Sequence, residues 1–268
     1  MAKKNDFLPV KPLYIEGDEP VRVRLDGPSL VVARPGRAPR RFPLGRISRV
    51  VAGGRIEWDH EALLACLDHG VAVTLLAPDG SARGFSLPAC DPATRDNQRI
   101  EEFLSRPDWR SLYDNWTRAF ERREILHLGK LLRTRFPDLR PPSVQDAVEA
   151  RWSSRLPQGL VRSLKNQLDG LLFARIAEHL AVRKLAPLAL VDRRPGFHLP
   201  RDLARLLAWR LYADLDRYLG RLVLADRRPA PESCRREIRT LYETLHHRED
   251  RRIAYAIDNF RFWLGGLT

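Results

Sequence analysis

Residues 71–92 read VAVTLLAPDGSARGFSLPACDP, and the chain changes character across this stretch. The first six residues form an unbroken apolar run, which predicts a strand that is buried on both faces. Asp79-Gly80 is a turn signal, and it leads into a second strand at residues 82–87. The proline-flanked segment 88–92 predicts a linker, because the apolar period becomes helical from Ala93 onward.

The segment before this stretch also predicts short strands separated by turns. Residues 21–25 alternate apolar and charged side chains, and Asp26-Gly27-Pro28 turns the chain into another apolar run at residues 30–33. A single helix is expected over residues 60–69, with Asp59 as its N-cap. Further strands are expected at residues 13–15, 47–52 and 56–58. About seven short strands with one helix are typical of a small sandwich.

The remainder of the chain predicts helices. Apolar residues recur at helical spacing from Ala93 to Arg135. Ser143 is expected to cap the next helix, and residues 187–200 are expected to be irregular. Further helices are expected at about residues 143–152, 160–185, 201–224, 232–247 and 249–264. We therefore predict an α+β protein, in which a small β-sandwich-like domain (residues 1–88) precedes a larger all-α domain (residues 93–268).

The charge of the chain indicates a polyanionic partner. The formal net charge is +13, and residues 91–268 carry 34 Lys and Arg against 24 Asp and Glu, compared with 13 against 10 in residues 1–90. A genome rich in G and C explains the preference for Arg over Lys, but it does not explain the shortage of acidic residues. Nucleic acid is the favoured partner, and an acidic protein or an anionic membrane surface is the alternative.

Composition also argues against several classes of protein. No run of about 18 apolar residues exists, so no membrane-spanning helix and no membrane partner are expected. The first residues lack the apolar core of a secretory signal, and the three cysteines form no CxxC pair, so we expect reduced thiols in a cytoplasmic protein. Motifs of P-loop motors, dehydrogenases, zinc proteases and serine hydrolases are absent from the sequence.

The order of elements over residues 47–84 resembles a known family. The predicted order is strand, glycine turn, helix, glycine, strand, glycine turn and strand. The residues that carry this order are 47–56 and 62–76, followed by Asp79-Gly80 and Gly84. This arrangement is similar to the N-terminal domain of the CRISPR-associated integrase, the nuclease subunit that inserts new spacers into a repeat array. The resemblance implies a helical catalytic domain after the β domain. It also implies a homodimer that associates with a small ferredoxin-like partner subunit of the adaptation complex.

Two segments of the helical half are similar to motifs of that family. Leu164-Lys165-Asn166-Gln167-Leu168 is similar to a core helix that opens with an Asn, so Asn166 is expected to tie down a loop or to approach the site. The alternative is an exposed polar residue. Arg194-Pro195-Gly196 followed by Asp202-Leu203 is similar to a loop whose following Asp helps to hold a divalent metal. The alternative for Asp202 is an acidic residue that the helix dipole favours in a first turn.

The sequence departs from the family at two expected metal ligands. The family places a metal-binding His about a dozen residues before the Asp, where this chain has Ala189-Leu190-Val191 followed by Asp192. His198 replaces it only if the loop folds back. The family also has an earlier Glu that is usually followed by Gly. Glu149 is the nearest match, with Ala150 in place of that Gly, and a solvated helix face is the alternative for Glu149.

The resemblance therefore implies a subunit of CRISPR adaptation that binds duplex DNA. With an intact site it would use Mg²⁺ or Mn²⁺ for endonuclease and strand-transfer chemistry, which inserts spacers. The implied catalytic residues are Glu149, His198 and Asp202, and the implied metal ligands are Glu149, Asp192, His198 and Asp202. The arginines expected to bind DNA phosphates are Arg193, Arg194, Arg201 and Arg205. The alternatives are a catalytically inactive DNA-binding subunit of the same fold and an adaptor that binds an acidic protein.

Overall fold

The computed structural model describes residues 10–17, 19–89, 94–185, 196–225 and 231–267. In this part of the chain, strands alternate with turns in the first half and the second half is helical. The strands are β1 (Lys11–Ile15), β2 (Val21–Asp26), β3 (Ser29–Arg34), β4 (Arg37–Pro43), β5 (Ile47–Gly53), β6 (Ile56–Trp58), β7 (Ala72–Leu76) and β8 (Ala82–Ser86). A 3₁₀ turn at Leu44–Arg46 joins β4 to β5.

Helix α1 (His60–Asp68) lies among the strands, and the other helices follow them. These are α2 (Arg95–Ser105), α3 (Trp109–Leu132), α4 (Pro141–Ser153), α5 (Gln158–Val182), α6 (Leu199–Leu224), α7 (Pro231–Thr244) and α8 (His246–Gly265). The predicted fold class, a β domain followed by an all-α domain, is confirmed. The predicted domain limits at residues 88 and 93 stay a prediction, since Cys90 and residues 91–93 lie outside the described residues.

The strands form two mixed four-stranded sheets. The first has the order β1-β5-β7-β8 and the second has the order β4-β3-β2-β6. Val50 of β5 and Val73 of β7 belong to the apolar core between the sheets, whereas Val51 and Ala72 belong to the core shared with the helices. Both faces of the central strands are therefore covered, which is the physical reason why most of their residues are apolar.

The long helix α5 is the main support of the first sheet. It packs against β5, β7 and β8 on one side and against α6 and α7 on the other. Its apolar side carries Leu164, Leu168, Leu172 and Ile176, which are all completely buried. The predicted helix at residues 160–185 is thus the element that joins the two halves of the molecule.

Three sequence-based expectations about local structure were wrong. Strand β4 was not predicted, because its residues are nearly all exposed and show no alternation. The pattern from Ala93 to Arg135 is interrupted at Pro107, since Arg106 before the proline adopts an extended backbone and ends α2. Helix α4 begins at Pro141 and not at Ser143, which lies inside its first turn.

None of the described helices is both long enough and apolar enough to span a membrane.

Candidate functional site

The beginning of α6 contains two of the residues expected at the site. His198 is the N-cap residue, and its Nδ1 accepts a hydrogen bond from the backbone N–H of Arg201 at 3.2 Å. Burial, with a smaller contribution from the positive charge of Arg201, lowers the pKa of His198 below its usual value. The imidazole is therefore neutral near pH 7, and Nδ1 serves as the acceptor that caps the helix.

Asp202 lies in the first turn of α6, as predicted, and it is half-buried. Its Oδ2 accepts a hydrogen bond from the hydroxyl of Tyr113 in α3 at 2.9 Å, and the backbone N–H of His198 lies 3.4 Å from the same oxygen. Burial raises the pKa of Asp202, although the bond from Tyr113 and the charge of Arg205 oppose the rise. The carboxylate is thus held by groups of the protein at the positive end of the helix dipole.

Glu149 lies in a different cluster. Its Oε1 accepts a hydrogen bond from Gln145 Nε2 at 2.9 Å, one turn earlier in α4. Burial raises the pKa of both Asp169 and Tyr212, and the charge of Glu149 adds to both increases, so Glu149 lies near this pair. Tyr212 follows Asp202 by ten residues in α6, which corresponds to roughly 15 Å along the helix axis. Glu149 is therefore not brought together with His198 and Asp202.

The cluster around Asp169 was not singled out from the sequence. Asp169 Oδ2 receives hydrogen bonds from Lys165 Nζ and from the hydroxyl of Tyr212, both at 3.2 Å. Its Oδ1 is shielded from solvent and has no hydrogen-bond partner among the described residues. One signal was present in the sequence, because Asp169 lies between Leu168 and the apolar run of residues 171–174 in the middle of a helix. The acidic residues near the site thus form two groups, with Asp202 in the first turn of α6 and Asp169 of α5 beside Tyr212, further along α6.

The described residues do not fit a divalent metal ion. Among them, no three His, Cys, Asp or Glu side chains converge in a way that could hold an ion. Asp192 lies outside the described residues. Asp202 and His198 are adjacent, but the carboxylate accepts from Tyr113 and is flanked by Arg205, and cations and hydroxyl donors compete with a metal for its oxygens. No reaction step through a metal follows from this arrangement.

The arginines expected to bind phosphate have different surroundings. Arg193 and Arg194 lie outside the described residues. Arg205 forms an ion pair with the buried Glu121 of α3, whose other oxygen accepts a hydrogen bond from Trp209 Nε1 at 3.2 Å. Arg201 is exposed at the beginning of α6. Of the four, Arg201 is therefore the described residue best placed for a phosphate, while Arg205 is already paired within the protein.

Many arginines of the helical domain are paired in the same way. These ion pairs join different helices through buried carboxylates. Arg210 of α6 and Arg252 of α8 both contact Glu124 of α3, for example, at 2.7 and 3.2 Å. Other buried acidic residues that form ion pairs with arginines are Glu121, Asp214, Asp216 and Glu249. The positive charge of these helices is thus used largely to hold them together.

Asn166 has the first of its expected roles. Its side-chain amide donates a hydrogen bond to Asp79 Oδ2 in the turn between β7 and β8, at 3.0 Å. The same carboxyl accepts from the backbone and hydroxyl of Ser81, and these bonds lower the pKa of Asp79. Asn166 therefore ties a loop of the β domain to α5.

Comparison by sequence finds a match for the first part of the chain. Residues 13–108 match the family model described as CRISPR associated protein Cas1. No match was found among curated proteins.

Comparison by structure extends over nearly the whole chain. A CAS1 protein from Thermotoga maritima is 10% identical, with a TM-score of 0.75, and the likeness covers 96% of this chain and 97% of that one. A TtCas1–DNA complex is 15% identical, with a TM-score of 0.58 and coverage of 93% and 91%. A casposase bound to its integration product is 15% identical, with a TM-score of 0.59 and coverage of 88% and 83%. The predicted resemblance is confirmed, by sequence over residues 13–108 and by fold beyond them.

Proposed function

We propose that this chain, a protein with the Cas1 fold, is a subunit of CRISPR adaptation that binds duplex DNA. The observation that carries the proposal is the fold match to a CAS1 protein, which spans 96% of the chain. The net charge of +13 supports it, since duplex DNA presents a dense row of phosphates. Two similar structures are described as bound to DNA or to an integration product, which supports the same substrate class.

The proposed assembly is a homodimer that works with a small ferredoxin-like partner subunit in the cytoplasm. This follows from the family resemblance, and a further similar structure is described as a Cas6-RT-Cas1–Cas2 complex, which supports a multi-subunit setting. The likeness to it covers 97% of this chain and 35% of that one.

We further propose that the described residues hold DNA without cutting or joining it. Glu149 accepts a hydrogen bond from Gln145 and lies near Asp169 and Tyr212, and among the described residues it forms no metal-holding group with His198 and Asp202. Asp202 is held by Tyr113 at the beginning of α6. Strand transfer with Mg²⁺ or Mn²⁺ is the second candidate, and the adjacency of His198 and Asp202 favours it. An adaptor for an acidic protein is the third, but the pairing of helical arginines with the chain's own carboxylates weakens it.

DNA binding is tested by fluorescence anisotropy with a labelled duplex. If about six phosphates are contacted, the affinity should fall roughly 10³-fold between ~50 and ~200 mM salt. Arg201→Gln should lower the slope of log affinity against log salt by about 1, because it removes one phosphate contact. Arg118→Gln, at an exposed position on α3, is the matched control and should leave the slope unchanged. Failure of the wild-type protein to bind duplex at ~50 mM salt would overturn the proposal.

The catalytic question needs a separate assay. Wild-type protein is incubated with a branched duplex and either Mg²⁺ or Mn²⁺, and cut and joined strands are resolved on a denaturing gel. We expect binding without cut or joined products. Asp202→Asn is the informative variant, since an amide oxygen still accepts the bond from Tyr113. Products that form with the wild type and vanish in Asp202→Asn would establish strand-transfer chemistry, while the DNA-binding proposal would stand.

A further inference from the structure

A cleft of about 780 Å³ lies between the edges of the two sheets and helix α7. Strand β1 forms one wall, strands β3 and β4 form the other, and α7 closes it from the side of the helical domain. The described residues that line the cleft include six arginines and two glutamates. The arginines are Arg34, Arg37, Arg40, Arg235, Arg236 and Arg239. The sequence analysis did not single out this group, because its members are distant in sequence.

The arginines of the cleft are placed close together at a cost. Arg34 of β3 lies directly opposite Arg37 of β4 in the antiparallel register, and like charges in that position repel. Arg235 and Arg236 are adjacent in the second turn of α7, and their like charges also repel. An anion bound in the cleft would relieve both repulsions.

The acidic residues of the cleft do not neutralise it. Glu16 accepts from Arg239 Nη1 at 3.3 Å, and its backbone carbonyl accepts from Arg34 Nη2 at 2.8 Å. Glu19 is exposed at the rim. Arg37 and Arg40 are also exposed, on the wall formed by β4. Among the described residues of the cleft, Arg37, Arg40 and Arg236 are exposed, so their positive charge is available to an occupant.

The walls of the cleft disfavour a peptide. Strands β1 and β4 are the edges of their sheets, but Pro12 lies in β1 and both Pro39 and Pro43 lie in β4. Proline removes a backbone donor, so these edges are poor templates for an added strand. The apolar residues that line the cleft offer no open pocket for a side chain, since Leu13 and Ile15 are buried.

The aromatic residues of the cleft disfavour recognition of bases. The guanidinium of Arg239 lies 5.0 Å from the ring centre of Tyr14, and that of Arg40 lies 5.9 Å from the ring centre of Phe42. Rings covered in this way are poor platforms for stacking. Guanidinium groups pair well with phosphate oxygens, so the cleft is suited to a sugar–phosphate backbone and not to bases.

We propose that this cleft binds the phosphodiester backbone of a DNA strand, an inference that rests on the proposed function. It places DNA contacts on the β domain and α7, away from the arginines near the start of α6 that the sequence indicated. The strand belongs either to a duplex or to a single-stranded end, because both present the same phosphates. Contacts with phosphates alone predict binding that depends on salt and not on base sequence.

The test compares two double variants with equal loss of charge. Arg37→Gln with Arg40→Gln removes two exposed arginines of the cleft. Arg118→Gln with Arg122→Gln removes two exposed arginines of α3 outside it and serves as the control. Binding of a single-stranded oligonucleotide and of a blunt duplex is measured over ~50 to ~200 mM salt. Circular dichroism and thermal melting check the folding of each variant, and Arg236→Gln probes the opposite wall if the first variant is unstable.

The cleft variant should bind about tenfold more weakly than the control. Its salt slope should fall by about 1.8 if the occupant is a duplex strand and by about 1.4 if it is a single strand. If the wild type binds DNA and the two double variants bind alike, the cleft assignment is wrong while the proposed function stands. If the wild type binds no DNA, the proposed function itself fails. A polyglutamate peptide that binds as tightly as the oligonucleotide, and only with the cleft intact, would assign the cleft to an acidic protein.

Discussion

Arg49 of β5 forms an ion pair with Glu178 of α5, with 2.8 Å between Nη1 and Oε2, although the arginine is only 1% exposed. Its Nη2 lies 2.8 Å from Glu243 Oε1 in α7 and 3.1 Å from the hydroxyl of Tyr14 in β1. One guanidinium thus joins the first sheet to two helices. The sequence shows only an arginine in an apolar strand, and the partners come from residues far away along the chain.

Replacement of Arg49 by Met should destabilise the protein. The substitution removes the cation that Glu178 and Glu243 share, and loss of one partner from a buried ion pair costs about 3 kcal/mol. Glu178 keeps its ion pair with Arg175, so the loss should be smaller, about 2 kcal/mol. Urea denaturation followed by tryptophan fluorescence measures the free energy of unfolding. Arg46→Met is the control, since Arg46 is exposed, and it should change that free energy by less than about 0.5 kcal/mol. Equal stabilities of the two variants would contradict the assigned role of Arg49.

Gly170 of α5 should not tolerate a side chain, although glycine normally weakens a helix. A Cβ atom at this position would lie 2.2 Å from the carbonyl oxygen of Gly80, in the turn between β7 and β8. Gly170→Ala should therefore destabilise the protein by about 2 kcal/mol or more through overpacking, measured by urea denaturation.

The matched control for this substitution is Gly220→Ala in α6. A Cβ atom there meets nothing within 4 Å, so the alanine should stabilise the protein by about 0.5–1 kcal/mol through helix propensity. The two glycine substitutions are thus expected to have opposite signs. A stabilising Gly170→Ala would show that the turn does not rest on α5.

Asp250 should make the protein sensitive to acid. Burial by itself raises the pKa of Asp250, but hydrogen bonds from His179 and from both Nε and Nη2 of Arg175 outweigh it and hold the pKa well below its usual range. As the pH falls below about 4, Asp250 becomes protonated in the unfolded chain but stays ionised in the folded protein. The contribution of the ionised Asp250 to the free energy of unfolding is thus fully present near neutral pH and is lost towards lower pH.

Asp250→Asn should accordingly be less stable than wild type near pH 7, and the difference should shrink below about pH 4. Urea denaturation at a series of pH values measures the free energies of unfolding. Asp258→Asn is the control, because Asp258 is 59% exposed and lies 3.9 Å from Arg183. Its profile should run parallel to that of the wild type. A constant difference between Asp250→Asn and wild type at all pH values would contradict the assignment.

Cys66 should be unreactive in the folded protein. The residue lies in α1 and is completely buried against the core of the sheets, and burial raises the pKa of its thiol to about 11. Because the thiolate is the reactive form, iodoacetamide at about pH 8 should label Cys66 slowly in native protein and rapidly in urea. Peptide mapping by mass spectrometry measures the labelled fraction. Rapid labelling without urea would show that this part of the core opens readily.

Strand β4 shows why one element of the β domain escaped prediction. Burial on one face produces the alternation by which a strand is recognised, but the side chains of Arg37, Pro39 and Arg40 are exposed. Only hydrogen bonding to β3 makes this segment a strand. The central strands β5 and β7 were predicted because both of their faces are largely covered, which selects apolar residues at most positions, with Arg49 and Thr74 as buried exceptions.

The candidate site was predicted only in part for a related reason. His198 and Asp202 are close in sequence and share one helix turn, so their proximity follows from local geometry. Glu149 is on another helix, and whether it reaches Asp202 depends on how α4 and α6 are placed. The arginine cleft depends on the same kind of placement, because Arg34, Arg37 and Arg236 come from elements that are far apart along the chain.

By itself, the sequence determined the two kinds of secondary structure, most of their limits and the excess of positive charge, since periodicity and composition act over short distances. Tertiary structure decided where that charge is available. Buried carboxylates such as Glu121 and Glu124 neutralise arginines of the helical domain across helix interfaces, whereas Arg37 and Arg40 remain exposed at a sheet edge. The strength of an ion pair depends on the distance between its charges and on their burial, and folding sets both quantities.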